Sequence, residues 1–534
     1  MYPSGKKFIE EYYPRCRSLL ETGAWDRVIG LHPDDSEPGT LPETLMFHRA
    51  DLGLPEFLSE LARLEWNFRQ IASSEIKSQP VFDRIKVNPS LQLIQVCWKG
   101  LPEILKSVKN SSSAVPMPGE EFVLIWRDSK TGQAEVETAS NEDLLVLKMV
   151  AEGIEPREVA HAGGLPVASI ETAIDRAVER GILLQPGTRI RRDPATFPMG
   201  KITNDVFLSS SLFTLQWHIT QACDLHCKHC YDRSERSSLT LEKGLAILDD
   251  LRAFCRSRQV KGQVSFSGGN PLLYPHFTEL YRAATERGFG TAVLGNPASR
   301  GRIEELLEIQ RPNFFQVSLE GLPDHNDTIR GHGHFEKTME FLGVLRELRI
   351  YSMVMLTLTR DNLDQVLPLA ELLRGWTDSF TFNRLSRVGE GAKLQLPSPE
   401  AYRAFLESYL KAEETNPILA LKDNLINILY FQKGGDPFGG CTGFGCGAAF
   451  NFLTALADGE VHACRKFPSL IGNVLEQSLG EIYESEAAKR YRAGTRACRA
   501  CPIRPVCGGC LAVVHGHGLD VFKDRDPYCF IKKQ

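Results

Sequence analysis

The 534-residue sequence has no run of about 18 apolar residues, so it carries no candidate transmembrane helix. Its opening, MYPSGKKFIEEYYPRC, has no apolar core of the secretory type, so the chain is expected to stay in the cytoplasm. Charge of one sign is also scarce. The 62 basic and 67 acidic residues leave a net −5, too mild for a disordered chain and too acidic for a broad nucleic-acid footprint. Neither a nucleic acid nor a membrane is therefore expected as a partner. Internal repeats and low-complexity blocks are missing too. What is present is an ordinary globular composition, 42% hydrophobic, at a length that suggests roughly three to four domains.

Against that background 14 cysteines are many, and eight of them fall between Cys441 and Cys529. Structural disulfides are rare in a reducing cytoplasm, so clustered cysteines there point to metal or redox chemistry. Cys16, Cys97 and Cys255 stand alone in apolar or helical stretches and read as small buried hydrophobes. Eleven remain. They divide into a triad, Cys223, Cys227 and Cys230, and eight that can make two complete four-thiolate sites.

Hydrophobic periodicity organises the rest. Residues 1–115 are expected to be mainly helical, with Leu58, Leu61 and Leu64 on one amphipathic face and a loop over 109–121. In 116–195, FVLIWRDSKTGQAEVET reads as a hairpin turning at Lys130-Thr131-Gly132. Ser140 and Asp143 form a capping-box signature for the first of three short helices. A hairpin plus three helices suggests a winged helix. Its recognition helix, Ala168 to Arg180, sets Glu171, Asp175 and Glu179 against Arg176 and Arg180, a poor match to phosphates. Peptide docking by a strand added to the hairpin edge suits it at least as well.

From 205 to 400, strands expected at 213–219, 263–267, 290–294, 314–319, 352–358 and 379–384 alternate with amphipathic helices. This predicts an α/β fold with a parallel sheet, either doubly wound or a partial barrel, whose ligands sit at the C-terminal strand ends. A helical linker is expected over 401–435 and a glycine- and cysteine-rich region of little regular structure over 436–534.

The triad Cys223-x3-Cys227-x2-Cys230 follows the first strand and precedes Tyr231. Three thiolates on one loop can hold three irons of a 4Fe–4S cube and leave the fourth open to a ligand. A zinc knuckle completed by His226 or His229 is the alternative.

A C-x3-C-x2-C loop followed by an aromatic, on a partial (β/α)6 TIM-like barrel, resembles the radical S-adenosylmethionine (SAM) superfamily. The resemblance implies that SAM chelates the open iron. Reductive cleavage then gives a 5′-deoxyadenosyl radical that abstracts hydrogen from substrate. It also implies a reductant such as flavodoxin or ferredoxin. Further motifs follow in order. Gly268-Gly269-Asn270-Pro271 would approach the methionine moiety, with Asn270 where the family usually has Glu. Asn296 ends the third strand near SAM. Ser318 and Glu320 would face the ribose and methionine part, and Arg330 would support the loop.

The C-terminal spacing resembles the SPASM extension, which carries two auxiliary 4Fe–4S clusters with interleaved ligands. The resemblance assigns Cys441, Cys446, Cys464 and Cys510 to one cluster, and Cys498, Cys501, Cys507 and Cys529 to the other, three clusters in all. Cys507 and Cys510 are separated by two residues where the family commonly has three. Asp458-Gly459 suits a tight hairpin turn. The basic run Lys489, Arg490, Arg492, Arg496, Arg499 and Arg504 could equally offset cluster charge or form a solvated helix face.

Enzymes of this kind mostly modify peptides. Arg465 stands where the sulfatase-type branch has a proposed Asp base, which counts against that chemistry. The N-terminal region also resembles leader-peptide recognition domains and, over about 55–190, the helper subunits of methanobactin-type maturation. The expected function is maturation of a ribosomal precursor peptide with a leader sequence, by cysteine-directed oxidation, ring formation or a thioether link. A redox-sensing winged-helix regulator and an enzyme acting on a small metabolite are the alternatives. No general base is singled out.

Overall fold

The computed structural model describes residues 6–33, 36–74, 82, 84–107, 115–129, 131–165, 167–197, 200–202 and 204–532. The chain forms two compact units, residues 1–165 with 169–186, and residues 166–168 with 187–534.

In the first unit the helix Leu58–Ser73 buries Leu58, Leu61, Ala62, Leu64 and Ile71. This apolar stripe packs in one core with Val96, Val123, Ile125 and Val136 from a three-stranded antiparallel sheet. Strand β1 (Lys86–Val87) precedes that sheet, which comprises β2 (Gln92–Lys99), β3 (Met117–Arg127) and β4 (Ala134–Thr138) in the order β2-β3-β4. Strand β5 (Leu183–Leu184) pairs with β1.

The sheet corrects three expectations. A division at 115/116 cuts through it, because β2 pairs along β3 from Gln92↔Ile125 to Lys99↔Met117. The loop expected through 121 ends before Met117 for the same reason, and 108–114 lie outside the described residues. Cys97 is exposed rather than buried, since the two-residue period of β2 turns Val96 into the core and Cys97 out. Cys16 and Cys255 are buried as expected.

The hairpin turns through Thr131 and Gly132, the latter at φ +70°; Lys130 is outside the described residues. Three helices follow, Asn141–Glu152, Pro156–Gly163 and Val167–Glu179. Both halves of the capping box form: Ser140 Oγ accepts from the Asp143 N–H at 3.1 Å, and Asp143 Oδ2 accepts from the Ser140 N–H at 2.9 Å. Arg176 pairs with Glu142 at 3.1 Å, and Arg180 with Asp143 at 2.7 Å and with Glu137. Both arginines of the expected recognition helix are thus spent inside the unit.

The second unit holds β6 (Leu212–Thr220), β7 (Lys261–Gly268), β8 (Gly290–Leu294), β9 (Phe314–Ser318), β10 (Ser352–Leu358) and β11 (Ser379–Arg384). They pair in parallel and in chain order. Sequential order belongs to a partial barrel; a doubly wound sheet would reverse direction at a switch point. Helices Pro399–Glu413 and Ile426–Lys433 occupy the expected helical stretch.

The region expected to be irregular contributes three strands, β12 (Phe452–Ala455), β13 (Glu460–His462) and β14 (Leu470–Asn473). β12 pairs in parallel with β6, so the nine-stranded sheet runs β11-β10-β9-β8-β7-β6-β12-β13-β14. Gly459, at φ +89°, makes the β12–β13 turn.

Candidate active site

Strands β6, β7, β9 and β11 alternate apolar and polar residues. On β6, Phe213, Leu215, Trp217 and Ile219 are buried in the unit's main hydrophobic core. The intervening face carries His218, which pairs in register with Ser267 of β7. The same face continues through Leu294, Gln316, Met355, Thr357 and Asn383. These side chains line a cavity of about 400 Å³ at the C-terminal strand ends. His218, Gln316 and Asn383 were not singled out from the sequence, although a polar residue alternating with core residues on a barrel strand is the signal that finds them.

The cysteine loop spans that mouth, and Cys223, Cys227 and Cys230 all face the cavity as free thiols. Three neighbouring segments hold it by backbone bonds. The Asn270 N–H donates to Ala222 O at 2.7 Å, the Lys228 N–H to Ile329 O at 3.0 Å, and the Glu390 N–H to Cys230 O at 2.9 Å.

Gly268 and Gly269 explain the tight seam. A Cβ on Gly268, at φ +132°, would lie 2.2 Å from Thr220 O, and one on Gly269 would lie 2.2 Å from Ala222 O. The absent side chains let this loop close on the start of the cysteine loop, a different reason from approach to a ligand. Both glycines also line the cavity, as do Tyr231, Asn296, Ser318 and Arg330.

Asn270, Pro271 and Glu320 are buried and do not line it. Asn270 Nδ2 donates to Asp224 Oδ1 at 3.1 Å, and Asn296 Nδ2 donates to the same oxygen at 2.6 Å. Asp224, inside the cysteine loop, was not anticipated. Its carboxylate sits where two loop amides converge beside Cys223, whose sulfur is 3.7 Å from Asn296 Nδ2.

Glu320 was expected to face SAM. It is instead an internal anchor, 1% exposed. Its carboxylate accepts from Arg330 Nη2 at 2.6 Å and from the Thr357 N–H at 2.7 Å, and lies 3.3 Å from His229 Nε2. Burial opposes its ionisation, but the charges of His229 and Arg330 outweigh burial and hold the carboxyl well below the usual range. Arg330 Nη1 in turn reaches Cys227 Sγ at 3.7 Å. Burial pushes the Cys227 thiol up, and the Arg330 charge opposes that shift.

Across the cavity, Tyr231 Oη lies 3.1 Å from His218 Nε2. Burial, then the charge of Arg465, lowers His218 to about 3, so its imidazole is neutral at neutral pH. Burial raises Tyr231 to about 12.

The C-terminal thiols fall into two electrostatic groups. Cys446 is pushed up to about 12 by burial and then by Cys464, Cys510 and Cys441. Cys498 is pushed up to about 12 by burial and then by Cys501 and Cys529, while Cys507 responds to Cys529, Cys498 and Cys501. The latter four line one small hollow with Gly508 and Gly509. Buried thiols of this kind stay protonated until a metal takes the proton's place, and an all-sulfur donor set suits iron–sulfur ligation. Among the described residues no three His, Cys, Asp or Glu side chains converge on the point a single metal ion would need.

The compensating charge differs from expectation. Cys464 feels Lys466, Lys422 feels Cys441 and Cys464, and Cys498 feels Arg525 and Arg504. Of the expected basic run, Arg504 is placed there. Arg492 instead donates to Tyr483 O and Ala449 O, and Lys489 pairs with Glu486. Arg192 donates to Cys446 O at 2.8 Å.

Residues 217–373 match the Radical SAM superfamily, and residues 446–502 match SPASM, an iron-sulfur cluster-binding domain. The AdoMet-dependent heme synthase of Methanosarcina barkeri is 26% identical over 347 residues, covering 60% of this chain and 96% of that protein. The mycofactocin maturase MftC of Mycolicibacterium smegmatis is 26% identical over 345 residues, 59% of this chain and 82% of that protein. The crystal structure of Streptococcus suis SuiB bound to precursor peptide SuiA is 16% identical, with a TM-score of 0.49, covering 77% of this chain and 96% of that one.

Proposed function

We propose that this radical SAM enzyme, with its SPASM iron–sulfur domain, modifies a ribosomally made precursor peptide whose leader is captured by the N-terminal unit. When bound, SAM and a 4Fe–4S cluster supply one-electron cleavage of SAM and hydrogen abstraction from substrate. The chain's own residues do the rest. Cys223, Cys227 and Cys230 would hold that cluster, and Gly268, Gly269, Asn296 and Ser318 would bound the SAM pocket. Arg330, held by Glu320, would fix the Cys227 side of the loop, and Asn270 would fix the Cys223 side through Asp224. Cys441, Cys446, Cys464 and Cys510 would hold one auxiliary cluster, and Cys498, Cys501, Cys507 and Cys529 the other. On this assignment the anaerobically reconstituted chain binds about 12 irons, and Cys441→Ala with Cys464→Ala removes about 4 of them. Loss of nearly all iron, or none, counts against two separate auxiliary sites.

The observation that carries the peptide reading is the outer edge of β4, which pairs with no further strand among the described residues. The Ala139 N–H donates to Phe122 O and the Asp128 N–H to Gln133 O. Alternation then points the backbone groups of Ala134, Val136 and Thr138 away from β3. An extended peptide can pair with such an edge. On the other side of the sheet, Glu60 accepts from the Cys97 N–H at 2.8 Å and Arg63 donates to Gln95 O at 2.5 Å. The β2 edge is thus partly occupied by side chains from the neighbouring helix. The engaged arginines of the third helix count against DNA.

The test takes as substrate any short peptide found to be encoded beside this chain's gene. The intact peptide is expected to bind and change mass on turnover, whereas the peptide without its N-terminal half is not. Thr138→Pro removes one edge donor and is expected to weaken binding roughly tenfold. Equal turnover of both peptides would sink leader capture. The similarity to a heme synthase favours a small tetrapyrrole-like metabolite as the second reading. It predicts turnover with no peptide present and no effect of Thr138→Pro.

A further inference from the structure

The cations around the cavity are unequal. Arg330 is bound by Glu320. Arg384 is clamped between Asp423 at 2.8 Å and Asp526 at 2.7 Å. Arg233 donates to Cys227 O at 2.9 Å, and Lys466 to Arg384 O at 3.2 Å. Arg465 also lines the cavity, yet its guanidinium has no hydrogen bond or ion pair among the described residues. Among the described residues the only acid lining the space is Asp232. Its oxygens already accept from Arg236, Gln221 and Ser234.

Among the causes that move Cys464 is the charge of Lys466, and Lys422 responds first to burial and then to Cys441. Arg465 instead acts across the cavity on His218 and Tyr231, and it opposes the charge of Lys422. A half-buried guanidinium facing a neutral imidazole, a phenol and further cations is a donor fork without an acceptor. A planar anion satisfies it through two parallel hydrogen bonds.

We propose that Arg465 is the anion receptor of the reaction cavity, and that the substrate enters presenting a carboxylate to it. In a peptide that carboxylate is an Asp or Glu side chain or the C-terminus. The proposal rests on the reading of this cavity as the reaction site and deepens the substrate class; it does not depend on leader capture. The carboxylate of SAM is the competing source, and the test separates the two.

The reconstituted holoenzyme is treated with phenylglyoxal under anaerobic conditions, and labelling of Arg465 is followed by peptide mass spectrometry, with exposed Arg282 as reference. With SAM already bound, N-acetyl-L-glutamate is expected to cause a loss of Arg465 labelling that N-acetyl-L-glutamine does not. Arg465→Gln is expected to raise KM for the peptide while leaving SAM affinity unchanged, and Arg465→Lys to recover part of the loss. Three outcomes overturn the proposal: equal effects of glutamate and glutamine, no protection by either, or complete protection by SAM alone. A failure of the peptide reading shows elsewhere, as turnover indifferent to the leader.

Discussion

Arg384→Met is expected to destabilise the second unit by about 3–5 kcal/mol and to lower its melting temperature by roughly 5–10 °C. Arg384 ends β11 and is 1% exposed. Its Nε donates to Asp423 Oδ2 at 2.8 Å, and Nη1 and Nη2 donate to the two oxygens of Asp526 at 3.0 and 2.7 Å. Tyr402 and Tyr528 enclose the guanidinium, with ring centres 5.3 and 5.6 Å away. Methionine fills much of the same volume, so the cost is electrostatic: two carboxylates lose their counter-ion where water cannot replace it. Asp526 also accepts from the Cys510 N–H at 2.8 Å, so the disturbance reaches a proposed cluster ligand and iron content should fall with stability. Adding Asp526→Asn is expected to recover part of both losses. Calorimetry and iron analysis check this. Melting of Arg384→Met within a degree or two of the parent would show that the triad holds nothing in place.

The barrel was legible because its strands obey a simple rule. An apolar run broken by turn residues marks each one, and the bounds 290–294, 352–358 and 379–384 agree residue for residue with β8, β10 and β11. The capping box at Ser140 was readable for the same reason, since both partners lie within one turn. Features made by distant partners were not. β2 needed β3, across residues outside the described set, before it could be recognised as part of a sheet. β12 has four residues and exists by pairing with β6, more than 200 positions earlier. Glu320 read as a ligand contact because a carboxylate at a strand end often is one. Its burial came from Arg330, His229 and the Thr357 N–H, and no local spacing announces such a set. Arg465 was noticed only as a residue out of place; its lack of a partner needed coordinates.

Glu320→Gln is expected to be the most damaging single change that leaves every cysteine intact. The glutamine keeps size and one acceptor, but it removes the charge that holds Arg330. Arg330 is itself buried, its side chain 10% exposed, so the substitution strands a cation at a cost of about 3–5 kcal/mol. Arg330 also touches Cys227 Sγ, and a loss of its aim should slow SAM cleavage by about 10–100-fold even in molecules that remain folded. The pH dependence identifies the cause. The folded carboxyl titrates below its unfolded value of about 4.3, so its contribution is fully present above that value and is lost as the pH falls toward the folded value. The gap in urea midpoint between the parent and Glu320→Gln should therefore narrow as the pH falls below about 4. Acid strips iron from both proteins, so the comparison uses the iron-free chains. A gap that stays constant through the acid range would mean that Glu320 acts by shape rather than charge, and Arg330 would then need another anchor.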